Sequence, residues 1–304
     1  MCASMHSLPA TSNTLNTGKL VGSVFWAGVV LLLCLVSTAA FSQAIIKTLD
    51  YPEATVTAPE DINGYSVVVG YQYKDPDDIS HGFFYQNGQF RSYDVPDSMG
   101  TQIRGINIGG DIVGAYTDSQ NQSHGYVRYS SGEVKMLDLF GVNQTYPSGI
   151  NDQGMITGLY IDNNQVGHFF VYANGQKTVV DVPNATIPAD FSSWPKINNS
   201  GSIVGAVIDN DTGERRAALL SNGSWMLFNV NGQNSTDRAI NASGAIAGSY
   251  AGGTSGFVLK NGTITLIRVP GALTTSPLGI NDRQQIVGIY GNANGTHGFL
   301  MQVP

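Results

Sequence analysis

One phrase returns six times along the chain. It reads Ile-Asn, a short turn usually holding Gly, a pair led by an apolar residue, then Gly. The copies begin at Ile62, Ile106, Ile150, Ile197, Ile240 and Ile280, so the steps are 44, 44, 47, 43 and 40 residues. A period of this size describes an array of supersecondary units, each unable to bury its apolar face without a neighbour. The repeat therefore constrains architecture first and chemistry only afterwards.

Within one copy, runs of four to eight residues rich in β-branched and aromatic types alternate with turn residues, which is the pattern of short strands. The second copy shows it: Thr101 to Asn107, Asp111 to Thr117, His124 to Tyr129 and Glu133 to Leu139 are the apolar runs. No stretch after residue 44 carries an apolar period of 3.6. Four antiparallel strands in a unit of about 40–45 residues correspond to a propeller blade. The third-to-fourth-strand turns read Asn87-Gly88, Ser131-Gly132, Asn174-Gly175, Asn222-Gly223 and Asn261-Gly262. Asn-Gly adopts the positive φ angles of a two-residue hairpin.

Six phrases accompany only five such turns. The chain stops just after His297 to Gln302, a third strand, while Ile45 to Pro52 resembles the fourth strands Phe90 to Pro96 and Lys177 to Pro183. The expectation is an all-β, six-bladed β-propeller of four-stranded antiparallel blades, the last closed by the N-terminal strand. Approximate blade limits are 55–95, 100–139, 145–183, 190–230, 236–269 and 274–304 with 45–51. Such closure pairs strand edges that would otherwise recruit other chains.

Residues 1–44 read as a leader. Lys19 precedes the apolar run Leu20 to Val36, and small residues follow through Ser42-Gln43-Ala44. A positive residue, an apolar core and a small-x-small end describe a secretory signal peptide, with an uncleaved anchor as the alternative. Both cysteines, Cys2 and Cys34, fall in it. Residues 45–304, a single domain, thus lack disulfides, thiolate metal sites and Cys nucleophiles. Loss of Lys19 moves the formal charge from −7 to −8, which argues against nucleic acid as a partner. The expected location is secreted, periplasmic or cell-surface, as a monomer without a membrane segment once processed.

Gly149 to Tyr160 and Gly295 to Leu300, with Asp181-Val-Pro183 and Val269 to Ala272, resemble the HAF-type extracellular repeat family over essentially all of residues 45–304. That resemblance implies an exported bacterial repeat protein and offers no catalytic residues to carry over.

Most recurring residues read as architecture. The six Asn after Ile suit Asx-turns. The mid-strand glycines, Gly70 through Gly288, suit close packing under an aromatic such as Phe83 or Phe299. His81, His124, His168 and His297 recur at the same place in four copies, with His168 shifted by one, as strand-edge hydrogen-bonding residues. Asp209-Asn-Asp-Thr-Gly-Glu214 has the alternating oxygens of a calcium loop, but its Gly comes one position early and no bidentate Glu follows at the right distance. Asp209 and Asp211 are the weak metal candidates, and no cofactor is otherwise expected.

Departures from the repeat point to a ligand. The longest connection, Asn184 to Pro195, places Asp190, Phe191 and Trp194 toward the channel mouth, where an aromatic beside carboxylates suits a sugar ring. In the inner strands Arg104 and Arg238 match each other three copies apart, and Lys196 stands where other copies have Gly, Ala or Asp. Two guanidiniums across an axis suit a carboxylate. The favoured reading is a non-enzymatic binding module for a glycan, peptide or extracellular protein on the loop-rich face. The alternative is a polysaccharide lyase or hydrolase at the channel, with Asp61, Asp190 or Tyr146 as base.

Overall fold

The computed structural model describes residues 45–74, 79–142, 144–189 and 193–303. The expected signal peptide lies outside the described residues. The protein is all-β: small antiparallel sheets succeed one another around a propeller-like ring. The first repeat has strands Val56–Ile62, Val68–Tyr73, His81–Gln86 and Gln89–Tyr93. Repeats two, three and five form four-stranded sheets in the same order of pairing.

The termini share a sheet. Ile45–Leu49 pairs antiparallel with Gly295–Gln302, Ile45 opposite Gln302 and Leu49 opposite Gly298. Asp50, just beyond that strand, accepts from His297 at 3.0 Å. The same contact joins Asp94 to His81, Asp138 to His124 and Asp181 to His168, at 2.9, 2.8 and 2.6 Å. The N-terminal segment thus makes, from the other end of the chain, the contact that fourth strands make within the other repeats.

Among the described residues there are five hydrogen-bonded sheets rather than six. The eight-stranded sheet consists of two four-stranded groups linked by a single parallel pair, Val56 with Thr296. Repeat four also departs. Its inner strand is split into Ala185–Thr186 and Lys196–Ile197 by the long connection, so its sheet counts five strands.

The recurring glycines answer to the expected aromatic, since a Cβ on Gly158 or Gly288 would meet Phe170 at 2.7 Å or Phe299 at 3.0 Å, and to a second, nearer obstruction. Inner strands bulge two residues before the Ile, with register shifts at Pro59/Asp61, Ile103/Gly105 and their counterparts. The bulge pushes a carbonyl at the second strand. A Cβ on Gly70, Gly114 or Gly248 would lie 2.0, 1.9 or 2.0 Å from the oxygens of Ala58, Gln102 and Thr236. At Gly205 the aromatic ring alone obstructs, a Cβ there meeting Phe169 at 2.7 Å with no backbone oxygen beside it. In repeat four the third strand carries Ala218 opposite that glycine instead of an aromatic, and Phe169 from repeat three fills the space.

The apolar core lies between repeats. Val69 and Phe84 of the first pack with Ile103, Ile112 and Tyr126 of the second. Ile246 and Phe257 of the fifth pack with Val204 of the fourth. Each fully buried large side chain is worth about 1.5–3 kcal/mol, and that gain is available only when neighbouring sheets are both present.

Candidate functional site

The six asparagines do two jobs. Each side-chain oxygen accepts one or two backbone N–H groups ahead of it, as in Tyr65 and Val67 to Asn63, or Asp111 to Asn107. Each side-chain amide then donates to the main-chain carbonyl of the next asparagine: Asn63 to Asn107, Asn107 to Asn151, Asn151 to Asn198, Asn198 to Asn241, Asn241 to Asn281, and Asn281 back to Asn63. The distances are 3.0–3.1 Å, with 3.4 Å from Asn107. The hoop rims a hollow of about 110 Å³ at one end of the axis.

A cavity of about 670 Å³ occupies the axis toward the opposite face, where Asn234 and the Gly252-Gly253 loop reach it. Arg104 and Arg238, set by the bulged inner strands of repeats two and five, both line it. Glu60 lines it too, 3% exposed, and pairs with Arg104 at 3.4 Å. Arg104 also donates to Gln102 at 2.6 Å. Burial pulls Arg238 below the usual arginine range, while Glu60 opposes that shift and Arg104 adds to it. A guanidinium nonetheless keeps its charge. Burial, then the nearby Glu60 carboxylate, raises the Tyr71 phenol on the same wall.

Lys196, expected from sequence at the ligand, is turned to the protein itself. It is 5% exposed, and its ammonium donates to the carbonyls of Glu60, at 3.2 Å, and Arg104, and pairs with Asp61 at 3.4 Å. An ammonium has three donors, and these partners engage all of them. Asp61 in turn accepts from the Ile62 and Ile106 N–H groups at 2.9 and 3.2 Å. Its burial raises the carboxyl against the pull of Lys196. Asp61 is therefore held by the chain itself, through Lys196 and two backbone N–H groups.

Trp194 is 5% exposed and packs in the core with Tyr146, Leu159 and Phe169. The Arg104 guanidinium sits 3.8 Å above its ring. One flat face of the ring that the sequence offered to a sugar is covered by an arginine, a favourable cation–π contact. Trp194 and Arg104 together separate the axial cavity from a side cavity of about 300 Å³, which Tyr146 also lines. Asp190 and Phe191 lie outside the described residues.

The calcium-like loop is neutralised from within. Asp209 pairs with Arg216 at 3.1 Å and accepts the Asp211 N–H at 2.9 Å. Arg216 occupies the register position of the repeated histidine, since Ala218 lies opposite Gly205 as Phe83 lies opposite Gly70. Among the described residues no group of three or more His, Cys, Asp or Glu is placed to hold a metal ion.

The histidines form clips. His124, His168 and His297 stack on Tyr116, Tyr160 and Tyr290 at 4.8–5.2 Å between centroids. His168 is opposite Tyr160 as His124 is opposite Tyr116, so the one-residue shift read from sequence vanishes in the register. Burial lowers His124, but hydrogen bonds and charge from Asp138 and Asp118 outweigh it and leave the imidazole raised.

Sequence comparison within the inner strands missed Arg215, which also lines the axial cavity. Its signal was in the third strands: other copies carry Ser80, Ser123, Gly167, Thr254 and Thr296 at that register, so the arginine is a departure.

No family model and no curated protein matches the chain. Its fold is similar to that of a mutant of the Aleuria aurantia lectin in complex with Fucalpha1-6GlcNAc, with TM-score 0.53 and 11% identity over 83% of this chain and 93% of that one. Regucalcin from Agrobacterium tumefaciens, described as a calcium-binding protein, gives 0.52 and 14% over 88% and 95%. A gluconolactonase from Xanthomonas campestris gives 0.51 and 10% over 86% and 90%. At these identities the likeness is one of propeller fold, and it spans binding proteins and enzymes.

Proposed function

We propose that this protein is an exported, six-bladed propeller of the HAF-type repeat class that acts as a binding module, with its ligand seated in the axial cavity. The blade count is supported by the closed cycle of six asparagines and by reading the eight-stranded sheet as two blades touching at Val56 and Thr296. Ile45–Leu49 then completes the sixth blade. Export rests on the leader pattern of residues 1–44.

The observation that carries the functional reading is the gathering of non-repeated polar side chains at one place. Glu60, Arg104 and Arg238 each depart from their counterparts, and all three converge on one cavity of about 670 Å³. Small-molecule sites commonly have about 300–1,000 Å³. Binding is favoured over turnover because the inner carboxylates are committed, Glu60 to Arg104 and Asp61 to Lys196. The lyase or hydrolase reading keeps one observation in its favour, the Tyr71 phenol beside those arginines on the cavity wall.

A glycan array probed with residues 45–304, followed by turnover assays on each hit, separates the two. Saturable binding without product supports the module. Release of unsaturated or reducing ends overturns it in favour of the enzyme.

A further inference from the structure

Among the described residues, the guanidiniums of Arg104, Arg215 and Arg238 line the axial cavity together with the Glu60 carboxylate. The chain as a whole carries a formal charge of −7, so three arginines gathered on one wall stand apart from its general composition. Charged groups on a concave, low-dielectric wall act strongly on whatever enters. Arg104 is braced by Glu60, Gln102 and Trp194, which fixes its plane. Arg215 and Arg238 approach from repeats four and five, on the loop-rich side. The remaining polar wall is made of hydroxyl and amide groups, with Thr236, Ser249, Ser276 and Asn234 among them.

Each kind of group has a natural counterpart. Guanidiniums recognise carboxylates through paired N–H donors. Hydroxyls and amides exchange donors and acceptors with sugar hydroxyls. An aromatic phenol such as Tyr71 offers apolar surface to a ring. We infer that the axial cavity takes a uronate-type saccharide, its carboxylate held by Arg215 and Arg238 and its hydroxyls by the polar wall. This inference rests on the binding-module reading above and names the ligand class for that site.

The test uses isothermal titration of residues 45–304 with oligogalacturonate and oligoglucuronate, their methyl esters, the matching neutral oligosaccharides, and inorganic sulfate. Arg215→Gln and Arg238→Gln are titrated alongside, with thermal unfolding checking that each variant is folded. Saturable uronate binding is expected, about tenfold weaker or more in each variant, lost on esterification and weakened by salt. Salt dependence and esterification are read on the unaltered chain, so they decide the matter even if a variant fails to fold.

Equal binding of ester and acid overturns the carboxylate assignment and leaves the module standing. Sulfate binding without any sugar binding overturns the saccharide part. A glycan or protein ligand whose affinity ignores both arginines overturns the inference alone. Absence of binding by every probe here and on the array overturns both readings.

Discussion

Lys196 and Asp61 stand three repeats apart in the chain and meet at 3.4 Å within the ring. Lys196 also reaches the carbonyls of Glu60 and Arg104, which border the large cavity, while Asp61 borders the small hollow at the asparagine hoop. The pair therefore lies between the two spaces and ties opposite parts of the ring to each other.

Removing one member of that pair should be costly. Lys196→Met leaves the Asp61 carboxylate buried without its cation, for which about 3–5 kcal/mol is the usual loss. Combining it with Asp61→Asn should recover a large part. Urea unfolding of the two variants measures this, and equal stability of single and double variants would show that the pair is uncoupled.

The hoop asparagines should respond differently to two replacements. Asn198→Ala removes the donor to Asn241 and the acceptor for the Ser200 and Ser202 N–H groups. With each net hydrogen bond worth about 0.5–1.5 kcal/mol, the expected loss is about 2–4 kcal/mol. Asn198→Asp keeps the acceptor but sets a carboxylate against the Asn241 carbonyl. Its stability should rise as pH falls and the acid regains a proton to donate. Chemical denaturation at pH 4 and pH 7 compares the two, and a flat pH response of the Asp variant would contradict the assigned geometry.

Two glycines separate sterics from backbone conformation. At Gly114 a Cβ would lie 1.9 Å from the Gln102 oxygen, a main-chain atom that no rotamer change can move. Gly114→Ala should cost more than the about 1–3 kcal/mol of ordinary overpacking. At Gly132 φ is +99° with nothing within 4 Å, so Gly132→Ala should bear only the conformational penalty. Thermal melts of both variants should show the larger drop for Gly114, and the reverse order would refute the bulge explanation.

Asp237 fills an inter-repeat slot that holds Pro59, Ile103, Pro147, Trp194 or Pro277 elsewhere. One oxygen accepts from Ala218 at 3.4 Å, and burial raises the carboxyl well above the usual aspartate range. The folded state therefore keeps a proton the unfolded chain has lost. Its contribution is fully present below about pH 4 and is lost as pH rises toward the elevated folded value. Within that window the native chain should lose up to about 1.4 kcal/mol per pH unit relative to Asp237→Asn. Parallel slopes for both proteins across pH 4–7 would disprove it.

Architecture was legible because its determinants repeat. Asn63 and its five counterparts mark each strand end, and Asp50 in Leu49 to Pro52 betrays a displaced fourth strand that finds His297. The site was legible only in part. Arg104 and Arg238 stood out as departures and do line one cavity. Lys196 and Trp194 stood out equally, yet one is consumed by Asp61 and the other lies under Arg104. Departure from a repeat marks a position as special; which partner it meets depends on distant strands, and Glu60 lies 136 residues from Lys196. Arg215 escaped notice because its register becomes visible only when Ala218 is aligned through Gly205.

The asparagine that ends the cycle hands its amide back to the one that began it. Tandem repeats are easily gained or lost when genes recombine. Here one copy fewer or more would alter the angle between every donor and its acceptor. The closed cycle thereby couples every repeat to its two neighbours at one rim, while the residues facing the cavity differ from copy to copy.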